Sequence, residues 1–384
     1  MQFEFATATR IIFGAGKLRE AGPVVKAAGK RPLVVTGKNV ERAEPLLKLL
    51  RENAIECSIF SVSGEPKIQT IRDGVALAKA ENCDWVIGMG GGSVLDAGKA
   101  IAAMMQNEGD VLDFLEIIGQ GKALKGSARF LAIPTTAGTG SEVTRNAVLA
   151  SPEHKLKVSL RSIHMLPGVA LVDPELTYDL PPHVTASTGL DALTQLIEPY
   201  VCRRANPMTD ALCIDGIRRV ARSLRKAFAF GNDSEARADM AIASLFGGMA
   251  LANAGLGAVH GFAGPIGGMF SAPHGEICAA LLADVMEVNM RALRGRGPEG
   301  KIAMSRYYYV GRLLTGESKA VGSVGVEWIR QLVSDLGILR LSSHGVKSEH
   351  IPEIVKHAKN ASSMKANPIV LTDEELAEIL QRAM

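Results

Sequence analysis

The chain has 384 residues, 47% of them hydrophobic and 22% charged, with 43 basic and 40 acidic side chains for a formal net charge of +3. That length suits two domains better than a single core. So small and dispersed a charge supplies no field that would favour nucleic acid or an anionic membrane, which leaves small-molecule chemistry as the expectation.

The N-terminal stretch to Phe13 carries Glu4 and Arg10 and has neither the apolar run nor the small-residue cleavage site of a secretory signal, so a cytoplasmic protein is expected. From there, apolar runs alternate with amphipathic ones: strand 33–36, helix 40–53, strand 55–62, helix 68–81, strand 84–89 and helix 94–105. This β-α alternation predicts a parallel sheet covered by helices. Further strands are expected at 130–133, around 147–149 and at 169–172. Beyond Leu180 the pattern changes, because Pro181 and Pro182 open a helix and only helical periodicity follows. Leu212, Ile214, Ile217, Val220 and Leu224 recur at helical spacing, with Arg218, Arg219 and Arg222 between them as an expected solvated face.

Residues 241–275 contain no Asp, Glu, Lys or Arg, and 241–259 is long enough to span a bilayer. The stretch is rich in Gly and Ala, however, and runs into His260, Pro265, Pro273 and His274. A buried helix beside a polar site accounts for all of these. The five cysteines, Cys57, Cys83, Cys202, Cys213 and Cys278, show no Cys-x-x-Cys spacing and are expected to be reduced core residues.

Two turns carry chemistry. Gly90, Gly91, Gly92 and Ser93 join the 84–89 strand to the following helix, where consecutive glycines let backbone N–H groups approach a pyrophosphate and the helix dipole favours its charge. Asp96 and Lys99 follow on that helix. A tight strand-to-helix turn that binds nothing would show the same glycines. The second turn, from Pro134 to Glu142, concentrates hydroxyls and glycines at the end of the 130–133 strand, the edge at which open α/β sheets gather ligands. Taken alone it is equally a polar loop.

Quoted together, Gly-Gly-Gly-Ser-x-x-Asp (Gly90 to Asp96), Pro-Thr-Thr-x-Gly-Thr-Gly-Ser-Glu (Pro134 to Glu142), Thr-Gly-Leu-Asp-Ala-Leu-Thr (Thr188 to Thr194), and His260 with Pro273-His274-Gly275 carry a resemblance. In order and spacing the chain resembles the iron-containing alcohol dehydrogenase family along essentially its whole length. The resemblance implies a Rossmann-like α/β dinucleotide-binding domain over 1–180 and an all-α metal-binding and substrate domain over 181–384, the dehydroquinate synthase-like plan. It implies NAD(P), a divalent Fe2+ or Zn2+ in the cleft, a small alcohol or aldehyde substrate, no nucleic-acid or membrane partner, and a homodimer or larger homo-oligomer. Asp191, His260 and His274 become the expected catalytic residues. With position 195 they form the expected metal set, Asp191 and Gln195 being neighbours one turn apart on a helix face.

The chain departs from the family pattern twice. Gln195 stands where the family has a histidine, and its neutral amide oxygen is a weaker ligand for such ions than imidazole. Gly264 stands where a further histidine is usual, which removes a group expected beside the substrate. The resemblance surrounds the cofactor with Thr135, Thr136, Thr139 and Ser141 and sends Lys157 to the nicotinamide ribose. At the end of the 33–36 strand, Gly37, Lys38 and Asn39 replace the Asp with which NAD-preferring relatives contact the ribose, so acceptance of NADPH is expected. Lys38 is equally explained as a solvated turn residue.

The expected chemistry is hydride transfer between NAD(P)H and a carbonyl compound polarised by the metal. Two alternatives stay open at this point. One is a polyol-phosphate dehydrogenase or cyclase of the same fold, which would need basic phosphate-binding residues; the other is a non-catalytic dinucleotide-binding relic, compatible with Gln195 and Gly264.

Overall fold

The apolar runs of the first half become strands and the amphipathic stretches between them helices. In the computed structural model, which describes residues 2–154, 156–296 and 300–384, these are β1 (Arg10–Phe13), α1 (Ala21–Ala28), β2 (Pro32–Gly37), α2 (Glu44–Glu52), β3 (Ser58–Val62), α3 (Ile68–Ala80), β4 (Trp85–Gly90), α4 (Gly92–Met104), the single turn α5 (Val111–Phe114), β5 (Arg129–Pro134), β6 (Asn146–Ser151), β7 (Leu156–Arg161) and β8 (Val169–Val172). Six of the strands form one parallel sheet in the order β1-β8-β5-β4-β2-β3. Strands β2 and β4 are buried along nearly their whole length, as a sheet covered on both faces requires. Their side chains alternate accordingly: Leu33, Val35 and Val86 enter one core with α4, while Val34, Ile87 and Met89 enter a second with α2.

The sheet departs from the expected elements in three places. Strand β1 was not legible as one, and it closes the sheet edge against β8. The strand expected around 147–149 lies outside the parallel sheet, in an antiparallel hairpin with β7. The connection from Ser151 to Leu156 is too short for the crossover that parallel pairing needs. The helix expected over 40–53 opens instead as a 3-10 turn, Val40–Ala43, in which the Asn39 side chain accepts from the free N–H of Glu41.

After the 3-10 turn Pro174–Thr177 the chain is helical: α6 (Pro182–Val201), α7 (Pro207–Ala229), α8 (Ser234–Ala254), α9 (Ala258–Met269), α10 (His274–Gly295), α11 (Gly300–Thr315), α12 (Gly322–Asp335), α13 (Ile351–Asn360) and α14 (Asp373–Ala383). Ala6–Thr136 with Gly140–Thr177 form one compact unit. Tyr178–Met384, joined by Ala137–Thr139 and the segment ending at Phe5, form the other. The helical unit has its own core, in which Leu190, Leu193, Leu196, Phe262, Ile277 and Leu281 meet.

The charge-free stretch is broken at Gly255 (φ 94°), where α8 and α9 meet at 99°. Among the described residues no single helix is long and apolar enough to cross a membrane. The arginines of α7 are not simply a solvated face: Arg219 and Arg222 both pair with Asp239, at 2.7 and 2.6 Å, and Arg218 reaches the Tyr309 hydroxyl.

One buried cation braces the 134–142 turn. Lys99, only 1% exposed, donates to the Ser141 carbonyl at 3.0 Å, to Thr144 Oγ1 at 2.9 Å and to the Asn146 carbonyl, and it lies 3.1 Å from Asp96 Oδ1. Burial holds its pKa below the ordinary lysine value, partly offset by Asp96. Nearby Glu142 is also buried, and desolvation pushes its carboxyl up to about 7 against the pull of Lys99. A carboxyl raised in the folded state contributes stability that is complete below its unfolded pKa and disappears as pH rises through the folded one. The window therefore runs from about 4.5 to about 7. Chemical denaturation of Glu142→Gln and wild type across this range should show wild type losing about 3 kcal/mol relative to the variant. A difference independent of pH would contradict the raised pKa.

Candidate active site

Three helices of the helical unit converge on one buried carboxylate. Helix α6 carries Asp191, Gln195 and Glu198 at spacings of four and three, so all three share one face. Helix α9 supplies His260 in its first turn, and α10 begins at His274, with Cys278 one turn on. His260 Nε2 lies 3.5 Å and His274 Nε2 3.7 Å from Asp191 Oδ1. Cys278 Sγ lies 3.9 and 3.6 Å from the same two nitrogens. One ligand atom from each of the four residues falls within 4.8 Å of every other, an arrangement that can hold a metal ion.

Close backbone approach sets this spacing. A Cβ on Gly275 would lie 2.3 Å from the Ser187 carbonyl oxygen, so only glycine lets the first turn of α10 rest against α6. A Cβ on Gly257 would lie 2.7 Å from Glu198 Oε1. Its absence leaves room for Glu198 to accept from Val259 N at 2.7 Å and to contact His260 Nδ1 at 2.6 Å. A proton on Nδ1 leaves the Nε2 lone pair facing Asp191, the carboxylate–imidazole relay that commonly orients a metal-binding histidine.

The electrostatics of the cluster favour a cation. Burial pushes His260 down, yet Cys278, Asp191 and Glu198 outweigh it and hold its pKa well above the ordinary imidazole value. His274 is raised in the same way, with Cys278 and Asp191 overcoming burial. Burial raises Asp191, but His274, His260 and Gln195 together hold it below its ordinary value. Asp191 Oδ1, on a residue 2% exposed, has no hydrogen-bond partner. Gln195 turns its amide nitrogen to Asp191 Oδ2 at 3.1 Å, and its Oε1 is likewise without a partner.

The sheet unit gathers most of the other expected residues at the C-terminal edge of its strands. Gly37, Gly90 and Pro134 end the adjacent strands β2, β4 and β5. The two turns touch, since Thr135 N donates to the Gly90 carbonyl at 3.0 Å and Thr136 lies 3.4 Å from where a Cβ on Gly91 would be. Gly91 precedes α4 without a side-chain cap, so Gly92 and Ser93 open a helix whose N-terminus attracts an anion. Lys38 is exposed at the end of β2, beside Gly37.

Several expected cofactor residues spend their polar atoms on protein. Asp96 accepts from Ser141 Oγ at 2.5 Å and from Val148 N at 2.9 Å. Lys157, on β7, pairs with Glu65 at 2.5 Å, and Asn39 caps the 3-10 turn. Thr139 belongs to the short segment of the helical unit in which Gly138 rests against Thr188. A Cβ on Gly264 would meet nothing within 4 Å. Sequence reasoning missed Glu198 and Cys278. Each has a signal in helical spacing, from Asp191 and His274 respectively, but Cys278 lacks the Cys-x-x-Cys motif that marks a thiolate site.

The family model for iron-containing alcohol dehydrogenase matches residues 8–174, and that for the C-terminal part of the Fe-containing alcohol dehydrogenase family matches residues 185–384. The chain belongs to the iron-containing alcohol dehydrogenase family. Alcohol dehydrogenase 4 of Schizosaccharomyces pombe is 36% identical over 379 residues, covering 97% of this chain and 87% of its own. The crystal structure of a 1,3-propanediol oxidoreductase superposes with a TM-score of 0.92 at 34% identity, covering 100% of both chains. Sulfoacetaldehyde reductase from Bifidobacterium kashiwanohense, solved with NAD+, gives a TM-score of 0.87 at 27% identity, covering 99% of this chain and 98% of its own. Relatives in this iron-containing alcohol dehydrogenase family are oxidoreductases acting on alcohols, and its members use NAD(P) and a divalent metal.

The Gly275 contact yields a direct test. Gly275→Ala must push the first turn of α10 away from α6, carrying His274 and Cys278 off Asp191. Divalent-ion retention in equilibrium dialysis should fall by about tenfold or more, with the far-UV circular dichroism of wild type. Unchanged retention would show that this approach does not set the ligand spacing.

Proposed function

We propose that this protein is a metal-dependent alcohol dehydrogenase or aldehyde reductase that transfers a hydride between NAD(P)H and a small alcohol, aldehyde or ketone. The observation that carries this reading is the convergence of Asp191, His260 and His274 on one buried point in a chain of this family. The residues fit a divalent ion: Asp191 Oδ1 is buried and unpartnered, two imidazole nitrogens lie within 3.7 Å of it, and hydrogen-bonded Glu198 orients one of them. Asp191, His260 and His274 would hold the ion, with Gln195 bracing the carboxylate through its amide nitrogen. When bound, such an ion supplies Lewis acidity toward a carbonyl or alkoxide oxygen.

The protein's own part is binding and orientation. Gly90, Gly91, Gly92 and Ser93, at the uncapped start of α4, would receive the pyrophosphate. Thr135, Thr136 and Thr139 would supply hydroxyls for the rest of the cofactor, and Ser141, whose hydroxyl donates to Asp96, would contribute by holding the turn that carries them. Asp96 and Lys99 act beneath that surface by holding the second turn in shape. Lys157 would reach the nicotinamide ribose only by releasing Glu65. At the ribose end, Gly37 presents no carboxylate to repel a 2′-phosphate and Lys38 offers it a positive charge, so NADPH is accepted as well as NADH. The open space at Gly264 widens the range of substrates that fit beside His260.

Asp191→Asn and His260→Ala should each lower turnover by about a thousandfold or more, the scale of lost Lewis-acid stabilisation, while nucleotide binding measured by calorimetry stays near that of wild type. Either variant turning over normally would sink metal-assisted hydride transfer. A panel of short alcohols, diols and aldehydes, run with both cofactors and with added Fe2+ or Zn2+, identifies the substrate class. A chain that binds nucleotide and oxidises none of them would be the non-catalytic relic.

Cofactor choice has its own test. A side chain on Gly37 has room, since a Cβ there meets only Val94 at 4.0 Å. Gly37→Asp should reduce kcat/KM for NADPH relative to NADH by about tenfold or more, through repulsion of the 2′-phosphate. An unchanged ratio would place the discriminating residue elsewhere.

A further inference from the structure

We propose that Cys278 is the fourth metal ligand, replacing on α10 the histidine that Gln195 has displaced on α6, and that the resulting Asp, His, His, Cys set prefers Zn2+ to Fe2+. The inference rests on the metal site proposed above and adds a ligand that neither the family pattern nor the spacing of the cysteines supplies.

The geometry comes first. Four ligands around a tetrahedral zinc, with Zn–N about 2.0–2.1 Å and Zn–S about 2.3 Å, stand about 3.3 to 3.6 Å apart. The corresponding edges here are 3.5 and 3.7 Å from Asp191 Oδ1 to the two imidazoles, and 3.9 and 3.6 Å from Cys278 Sγ to the same two. Four of the six edges are thus near those of a tetrahedral cage, and all four donors lie within 4.8 Å of one another. Cys278 is fully buried, and its sulfur faces these two histidine nitrogens.

Gln195 is placed for a different task. Its Nε2 faces Asp191 Oδ2 at 3.1 Å, so the amide oxygen must point the other way, and it lies 3.7 Å from where a Cβ on Gly247 of α8 would be. Reversing the amide would set its oxygen against the carboxylate, which that charge opposes. Gln195 therefore braces Asp191 while the second residue of the His274/Cys278 pair, one turn along α10, restores the donor count. The exchange changes the metal. On binding, Cys278 releases its thiol proton to solvent, and thiolate and carboxylate together neutralise the 2+ charge. A soft thiolate favours zinc over ferrous iron where an all-nitrogen-and-oxygen set discriminates less.

The test loads chelator-treated full-length protein with Co2+ and reads its absorption spectrum, with Gln195→Ala and Cys278→Ser alongside. A thiolate ligand gives a sulfur-to-cobalt charge-transfer band in the near ultraviolet in addition to the visible d–d bands. The expected result is that wild type and Gln195→Ala show this band and Cys278→Ser loses it, retaining Zn2+ against a chelator about tenfold less well or worse. Zn2+ should also displace Fe2+ from wild type in competition dialysis. Visible bands without the charge-transfer band in wild type overturn the inference and leave the metal site standing. So does a band that survives Cys278→Ser. Failure of wild type to retain Co2+ at all overturns the metal site itself, and the ligand with it. Should Cys278→Ser not fold, the wild-type spectrum still decides, because Cys278 is the cysteine in the cluster found among the described residues.

Discussion

A carboxylate oxygen buried without a hydrogen-bond partner governs the helical unit. Ionised Asp191 in that position is costly unless positive charge or a metal reaches it, and the surrounding helices are arranged to bring both within range. Helix α10 approaches α6 until Gly275 touches the Ser187 carbonyl, and α9 is turned at Gly255 so that His260 faces the same oxygen. The pairing of Glu198 with His260 continues this arrangement outward, because a fixed imidazole is useful to a metal only if its other nitrogen is held. Gln195 turns its amide nitrogen to the same carboxylate, beside a cluster of Asp191, His260, His274 and Cys278.

The sheet unit solves the opposite problem with the opposite charge. A turn rich in hydroxyls and glycine has little core of its own, so its shape depends on something beneath it. Lys99 serves as that strut, spending its donors on the Ser141 and Asn146 carbonyls and on Thr144, with Asp96 alongside. The glycine turn of α4 and the Pro134 turn meet at the ends of adjacent strands, which brings glycine backbone and hydroxyl side chains together. A surface of that kind suits phosphate chemistry and carries little information about a substrate, and the relatives in this family are named for different alcohols and aldehydes.

Most of the architecture was legible because it follows short-range rules. Short continuous apolar runs between amphipathic stretches mark the β2, β4, β5 and β8 strands, and a helix-only pattern after Pro182 marks the second unit. Asp191, His260 and His274 were legible through the motifs that contain them. Strand β1 and the β6–β7 hairpin were not, since a four-residue edge strand and a hairpin outside the main sheet leave no repeating pattern to read. For Asp96 a motif, for Lys157 the resemblance and for Asn39 the end of a strand is what points to the cofactor. Motif position does not reveal that Ser141, Glu65 and the Glu41 amide hold their polar atoms.

By itself the sequence determined the alternation of elements, the two glycine- and hydroxyl-rich turns, and three of the residues that surround the buried carboxylate, because each of these is written in neighbours a few positions apart. Only the tertiary structure decided that Cys278 joins that group, that Gln195 turns its nitrogen to Asp191, and that Lys99 lies beneath a turn rather than on it. Those facts depend on which helix faces meet and on how closely glycine lets two backbones approach. Such distances are set by packing between segments far apart in the chain, and no local pattern records them.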